Sequence, residues 1–267
     1  MSNAFLGYDV AEIATSFSVT NAVTGFPGSN LQKQDPGDYY RTTSSSFVVE
    51  IQLSTFFNIS AVAMLYHNFP FACAWRVRTA TTQANLTNGS ANYDSTSIGI
   101  HKTSDWTSEI PYNRVHSWVK PATPPVAQWV RIDVTSLTGT MQAGRLMVCV
   151  GDIFANKNIF YGSGHGGMED RGRRGLTTGG VYSTNPLFTV KKNHPIYWEA
   201  ETDEELRYFK QVYKARGGTK DVLFIRDPDG ANLEVQEVVP GLMDMRFVTN
   251  HVSFSQRTVR LNIVEIG

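Results

Sequence analysis

From Phe47 onward the apolar positions of this chain recur with a period of two, in short runs. Residues 47–53 (Phe-Val-Val-Glu-Ile-Gln-Leu), 74–79 and 128–134 alternate apolar and polar side chains, as half-buried strands do. Residues 59–66 are more continuously apolar, and 145–150 form a further strand. The links between these runs are rich in Gly, Pro, Asn and Ser, which is turn chemistry. The loop from Asn85 to Tyr112 carries a strand of its own over 91–100, and 121–125 (Pro-Ala-Thr-Pro-Pro) is a stiff connector. Helix-period segments are nearly absent before Thr202. The first 155 residues therefore predict an antiparallel β-sandwich.

The last third has a different grammar: strand, one helix, a Gly-Gly turn, then strands to the end. Thr202-Asp-Glu-Glu205 is a capping box, in which the Thr202 hydroxyl takes the Glu205 N–H and the Glu205 carboxylate reaches back. Leu206, Phe209, Val212 and Tyr213 fall on one helical face, Lys214 and Arg216 occupy the last turn, and Gly217 follows as the C′ residue. This predicts a helix over 202–216 that covers one face of a sheet. Strands are expected at 177–182, 187–192, 194–200, 221–226, 232–239, 243–249 and 252–265, with a turn at Asp227-Pro-Asp-Gly. Between the two patterns, 161–175 is glycine-rich and locally basic. The expected organisation is a sandwich over 1–155, a linker or arm over 156–176, and a mainly β domain with one helix over 177–267.

Composition narrows the function classes. Twenty-four basic residues balance twenty-four acidic ones, so the chain lacks the electrostatic footprint of a nucleic-acid or anionic-membrane binder. No apolar run reaches the length that spans a bilayer, and the first residues lack the basic and apolar regions of a signal peptide. Cys73 and Cys149 lie in apolar runs and are expected to be reduced core thiols. Three Asn-x-Ser/Thr matches, at Asn58, Asn85 and Asn88, are chance matches in a chain so rich in these residues.

Candidate chemistry is sparse. The six histidines form no His-x-His or His-x-x-x-His pair, so isolated polar or capping roles are expected. Gly162-Ser-Gly-His-Gly-Gly lacks the Lys-Ser/Thr of a phosphate loop and the strand–turn–helix context of a dinucleotide site. An arm that packs on a neighbouring subunit explains it better, with His165, Arg171, Arg173 and Arg174 as contact residues. Asp227-Pro-Asp-Gly lacks the ligand spacing of a calcium loop, and a type I turn suffices. Asp35 and Asp38 are weak calcium candidates in the first domain; no metal and no cofactor are expected. Loop or edge aromatics, Tyr39, Tyr40, Trp106 and Trp118 (with Tyr112), suit either a sugar face or a subunit contact. Trp75 and Trp129 sit in alternating strands and read as core or sheet-face residues.

Two resemblances add to this. The run Phe26-Pro-Gly-Ser-Asn-Leu31, Tyr40-Arg41, 47–53, 59–68 ending Tyr-His-Asn, Trp75-Arg-Val-Arg78, Tyr93-Asp-Ser95, Trp129-Val-Arg-Ile132 and Ala143-Gly-Arg-Leu146 resembles the discoidin-type, galactose-binding-like sandwich. Within it, the particular run of His67-Asn68, Arg76-Val-Arg78, Tyr93-Asp-Ser95 and Gly144-Arg-Leu146 is similar to structural proteins of tailed bacteriophages. Trp198-Glu-Ala200, the helix, Gly217-Gly218 and Leu223-Phe-Ile-Arg-Asp-Pro228 resemble the tail-tube-like fold of phage tube and distal-tail proteins. The resemblance implies a galactose-binding-like jelly roll followed by a sandwich with one covering helix. It further implies a non-enzymatic minor tail or tail-tip component, made in the host cytoplasm and located in the virion. Such a protein forms a ring-like homo-oligomer that docks on tube or hub and holds neighbouring tail-tip or fibre proteins. The alternative is a carbohydrate-binding adhesin for host surface glycans; a hydrolase of cell-wall or capsule glycans is a third reading, and it is disfavoured because no carboxylate pair stands out.

Overall fold

Alternating runs close a core only by pairing. The computed structural model shows the pairing for residues 4–35, 37–100, 115–153, 167–169, 173–176, 182–185, 191–200, 203–217, 219–225, 238–243, 248–251 and 257–265. The chain divides into two compact units: Met1–Asn156 with Val222–Val238, and Lys157–Asp221 with Val239–Gly267.

The first unit carries β1 (Phe5–Asp9), β2 (Ser16–Val19), β3 (Tyr40–Thr42), β4 (Phe47–Asn58), β5 (Ala61–His67) and β6 (Ala74–Ala80). It continues with β7 (Tyr93–Asp94), β8 (Ile98–Gly99), β9 (Val115–Val119), β10 (Val126–Thr135) and β11 (Met141–Ile153). The second unit carries β12 (Gly167–Glu169), β13 (Arg173–Leu176), β14 (Tyr182–Asn185), β15 (Lys191–Ala200) and helix α1 (Asp203–Arg216). Strand β16 (Asp221–Ile225) returns to the first unit, where Val222–Ile225 pair with β1. The second unit closes with β17 (Val238–Met243), β18 (Val248–His251) and β19 (Arg257–Glu265).

In the first unit one sheet runs β16-β1-β11-β5-β9, with β3 also on β11. The other runs β2-β4-β10-β6-β7, with β8 also on β6. The pairings are antiparallel. The fold is thus mainly β, an antiparallel sandwich. Alternation explains its core: Val49, Ile51 and Leu53 of β4, Val130, Ile132 and Val134 of β10, and Trp75 and Val77 of β6 meet Val62, Met64, Leu146 and Val148 of the facing sheet. The other parity of β5 and β11 is apolar too. Ala61, Ala63, Leu65, Met147 and Cys149 form a second cluster with Phe5, Leu223 and Ile225. This sheet is buried on both faces, which is why 59–66 reads as a continuous apolar run.

The polar parity of the second sheet is not left to water. Arg78 and Arg131 both reach Asp133, Arg131 Nη1 lies 3.3 Å from Glu50 Oε2, and Arg76 Nε donates to Asp94 Oδ1 at 2.8 Å. The Arg76 hydrogen bond holds the Asp94 carboxyl below its ordinary range. A neutral lattice of ion pairs therefore covers this face.

An ion pair between Arg145 and Asp9 is buried inside. Arg145 is 1% exposed, with Nη2 at 3.0 Å from Asp9 Oδ2 and 2.9 Å from Glu12 Oε1, and its Nη1 donates to the Gln32 carbonyl. Asp9 Oδ1 accepts the N–H groups of Ala11 (2.8 Å) and Val148 (2.9 Å). The Gly-Arg-Leu signature thus marks an ionic clamp joining β1 and β11 to the single turns at Ala11–Ile13 and Gly28–Gln32.

The two cysteines are buried and are not joined in a disulfide, as expected. Burial pushes the Cys73 thiol up to about 12. The expected strand over 91–100 is two short strands, β7 and β8, broken where Thr96 takes φ 57°.

In the second unit the sheet order is β12-β15-β19-β17, with β18 on β19, and β13 pairs with β14. Helix α1 matches the expected span, with Val212 and Arg216 buried while Arg207, Lys210, Gln211 and Lys214 face out. Gly217 takes φ 57° and donates to the Tyr213 carbonyl at 2.7 Å, the C′ conformation that glycine adopts most easily. Thr202 lies outside the described residues. Of the expected strand positions, 177–181, 187–190, 226, 232–237, 244–247 and 252–256 lie outside the described residues.

Candidate ligand-binding rim

Antiparallel register decides which loops meet. Thr135 pairs with Ala74, Val134 with Phe47, Met141 with Thr42, and Ala143 with His67. The segments 20–39, 43–46, 68–73 and 136–140 therefore gather at one end of the sandwich. Loops held by a rigid scaffold are where binding groups concentrate.

At this end three side chains form a stack. The rings of Phe26 and Tyr39 lie 5.0 Å apart at 20°, both half-buried. The Arg41 guanidinium carbon is 4.0 Å from the Phe26 ring centroid and 5.2 Å from that of Tyr39. Arg41 Nη2 donates to Tyr39 Oη at 2.7 Å, and its enclosed Nε has no hydrogen-bond partner among the described residues. Backbone bonds fix the frame: Val23 N–H to the Arg41 carbonyl at 2.9 Å, Phe26 N–H to the Val23 carbonyl at 2.9 Å, and Asn30 Nδ2 to the Tyr39 carbonyl at 3.0 Å. Aromatic stacking and a cation over a ring each contribute about 0.5–1.5 kcal/mol, so the rings hold one another in place. Because Tyr39 Oη accepts from Arg41, its own O–H is directed to donate.

The loop beside the stack is internally satisfied. Asp35 Oδ1 accepts the Gly37 N–H at 2.8 Å, the Asp35 carbonyl accepts the Asp38 N–H at 3.1 Å, and Lys33 Nζ lies 2.8 Å from Asp38 Oδ2. Among the described residues no group of three or more His, Cys, Asp or Glu is placed to hold a metal.

Of the aromatics expected on this surface, Tyr39 is there and Tyr40 is not. Tyr40 opens β3 with its side chain inward, fully buried, its ring 5.0 Å from Phe47 and its Oη donating to the Thr20 carbonyl at 2.8 Å. Burial pushes its phenol up to about 12. Trp118 does lie on an edge strand, β9, but its ring is buried among Ala61, Ala63 and Tyr66, so it offers no surface. Trp106, His165 and Arg171 lie outside the described residues. Arg173 and Arg174 belong to β13, opposite Asn185 and Thr184 in a paired strand where a connecting arm was expected. Phe26 and Arg41 went unmarked as site residues. The signal available for Arg41 was parity: with Tyr40 inward in a strand, its neighbours 39 and 41 point the other way.

Two histidines do cap backbone. His116 Nδ1 accepts the N–H of Tyr66 at 3.2 Å, where Tyr66 takes φ 55°. His67 Nδ1 accepts the Phe69 N–H at 3.3 Å, and its Nε2 lies 2.8 Å from Ser117 Oγ. The bulge between Met64 and His67 is thereby satisfied. Trp75 is in the core and the half-buried Trp129 is on a sheet face, as alternation required.

No family model matches the chain, and no curated protein matches it. Solved structures do show likeness. The module CBM32-3 from a family 31 glycoside hydrolase of Clostridium perfringens has TM-score 0.41 and 14% identity over 55% of this chain and 95% of that one. The family 32 module of C. perfringens NanJ, in complex with galactose, has TM-score 0.39 and 14% identity over 54% and 99%. A GH29 fucosidase of Ruminococcus gnavus, in complex with fucose, has TM-score 0.39 and 14% identity over 54% of this chain, which spans 27% of the fucosidase. At these scores the strand pairing described above, not the likeness, defines the fold.

Proposed function

We propose that the first unit is a non-catalytic carbohydrate-binding module whose loop end holds a sugar against the Phe26–Tyr39 stack. The observation that carries this is the half-buried ring pair at the loop end with the Arg41 guanidinium at its side. A pyranose presents an apolar C–H face and a rim of hydroxyls. The rings suit the first; the Tyr39 O–H and the guanidinium suit the second. The covered alternatives are less apt, since the outer face of the β4-β10-β6 sheet is already filled by mutually paired charges. Display of the purified chain on an array of host and bacterial surface glycans tests this. Binding that Tyr39→Ala removes and Tyr40→Phe keeps supports it, and a blank array refutes it.

A second reading is a structural component of a long-tailed phage virion, with the second unit forming a ring, docking on tube or hub, and the first unit holding fibre proteins or contacting host glycans. The antiparallel strands of the second unit and the one helix among its described residues, after β15, favour it. Co-sedimentation with tail particles is its test, and a stable monomer that never joins them counts against it.

A further inference from the structure

We propose that Asn88 is a self-modification site, at which the folded turn converts this asparagine to aspartate and isoaspartate. Asn88-Gly89 is the one Asn-Gly pair in the chain. It follows the single turn at Ala84–Leu86, and Asn88, Gly89 and Ser90 are all exposed. Gly89 takes φ 83°, and nothing lies within 4 Å of where its side chain would stand, so the turn is open at this residue. Asn88 Oδ1 accepts the Ser90 N–H at 2.9 Å. An Asx turn of this kind folds the carboxamide back over the following peptide, toward the nitrogen that would attack it. The hydrogen bond also withdraws electron density from Cγ and stays in place as negative charge develops on Oδ1, as an oxyanion donor does. Asn88 Nδ2 donates to Asn85 Oδ1 at 3.2 Å, which fixes the orientation of the leaving group.

The step balances with water alone. The Gly89 nitrogen gives its proton to solvent and attacks Asn88 Cγ, forming a C–N bond. The Cγ–Nδ2 bond breaks, Nδ2 takes a proton, and ammonia leaves a five-membered succinimide. Water then adds to either succinimide carbonyl, giving aspartate or isoaspartate. Either product adds one negative charge at neutral pH, and isoaspartate also lengthens the main chain of a turn that Arg78 Nη1 ties down through the Leu86 carbonyl at 2.6 Å.

The test is peptide mapping of the full chain, incubated for days in mildly alkaline buffer. A synthetic peptide of residues 83–92 and the chain in denaturant are run alongside. The expected result is conversion at Asn88 before any other asparagine, several-fold faster in the folded chain than in either control, with Asn88→Gln removing the early ammonia release. Conversion slower in the folded chain than in the peptide, or first loss at a different asparagine, overturns the proposal.

Discussion

At the scale of single residues, Arg145 carries the sharpest stability consequence. Its guanidinium is the counter-charge of a buried Asp9, and both sit where water does not reach. Truncation to Ala leaves that carboxylate uncompensated and is expected to destabilise the first unit by about 3–5 kcal/mol. Arg145→Met combined with Asp9→Asn should recover a good part of the loss; urea unfolding of the wild type and the two variants measures it. Two other buried groups bear on alkaline stability. Folded-state values near 12 for Cys73 and Tyr40 lie above their ordinary 9.0 and 10.0. Each raised value favours the neutral form in the folded chain. The associated stability is whole below the ordinary value and is lost as pH rises through the folded one. Stability should fall from about pH 9 toward pH 12, and Cys73→Ala should flatten the early part of that slope in unfolding titrations. An unchanged slope would mean that the thiol does not contribute.

At the scale of elements, the strands most legible in the sequence are those with one buried and one ion-paired face. β4, β6 and β10 alternate because their polar parity carries Glu50, Arg76, Arg78, Arg131 and Asp133 in the lattice. β5 could be seen as a strand but not oriented, because both of its faces are apolar. Partners were not legible. Val222–Ile225 reads as a buried strand wherever it goes, and only the pairing with β1 places it in the first unit. Helix α1 was legible nearly residue by residue, because its apolar positions and its terminal glycine state the same boundaries. Its burial gives a prediction: Val212→Asp places a charge on the buried face and should cost several kcal/mol in the second unit. Gln211→Ala, one residue away on the exposed face, should cost within about 0.5 kcal/mol. Circular dichroism through a thermal ramp separates the two, and equal effects would show that the helix has no inward face.

At the scale of the whole molecule, the candidate site illustrates why function was harder to see than fold. Tyr39 could be picked out as a loop aromatic, but its value depends on Phe26 and Arg41, which the chain brings to it from a separate segment and from the next strand. A list of aromatics cannot distinguish Tyr39 from Tyr40, one a rim residue and the other core; register and parity can. The central claim is that this rim binds carbohydrate through the stack. Its most direct measurement is the affinity of the wild-type chain, Phe26→Ala and Tyr39→Ala for one array-positive glycan, with unfolding midpoints recorded for each. The expected result is a loss of roughly tenfold or more for each variant, about 1.4 kcal/mol, with folding retained. Unchanged affinity in folded variants would contradict the claim.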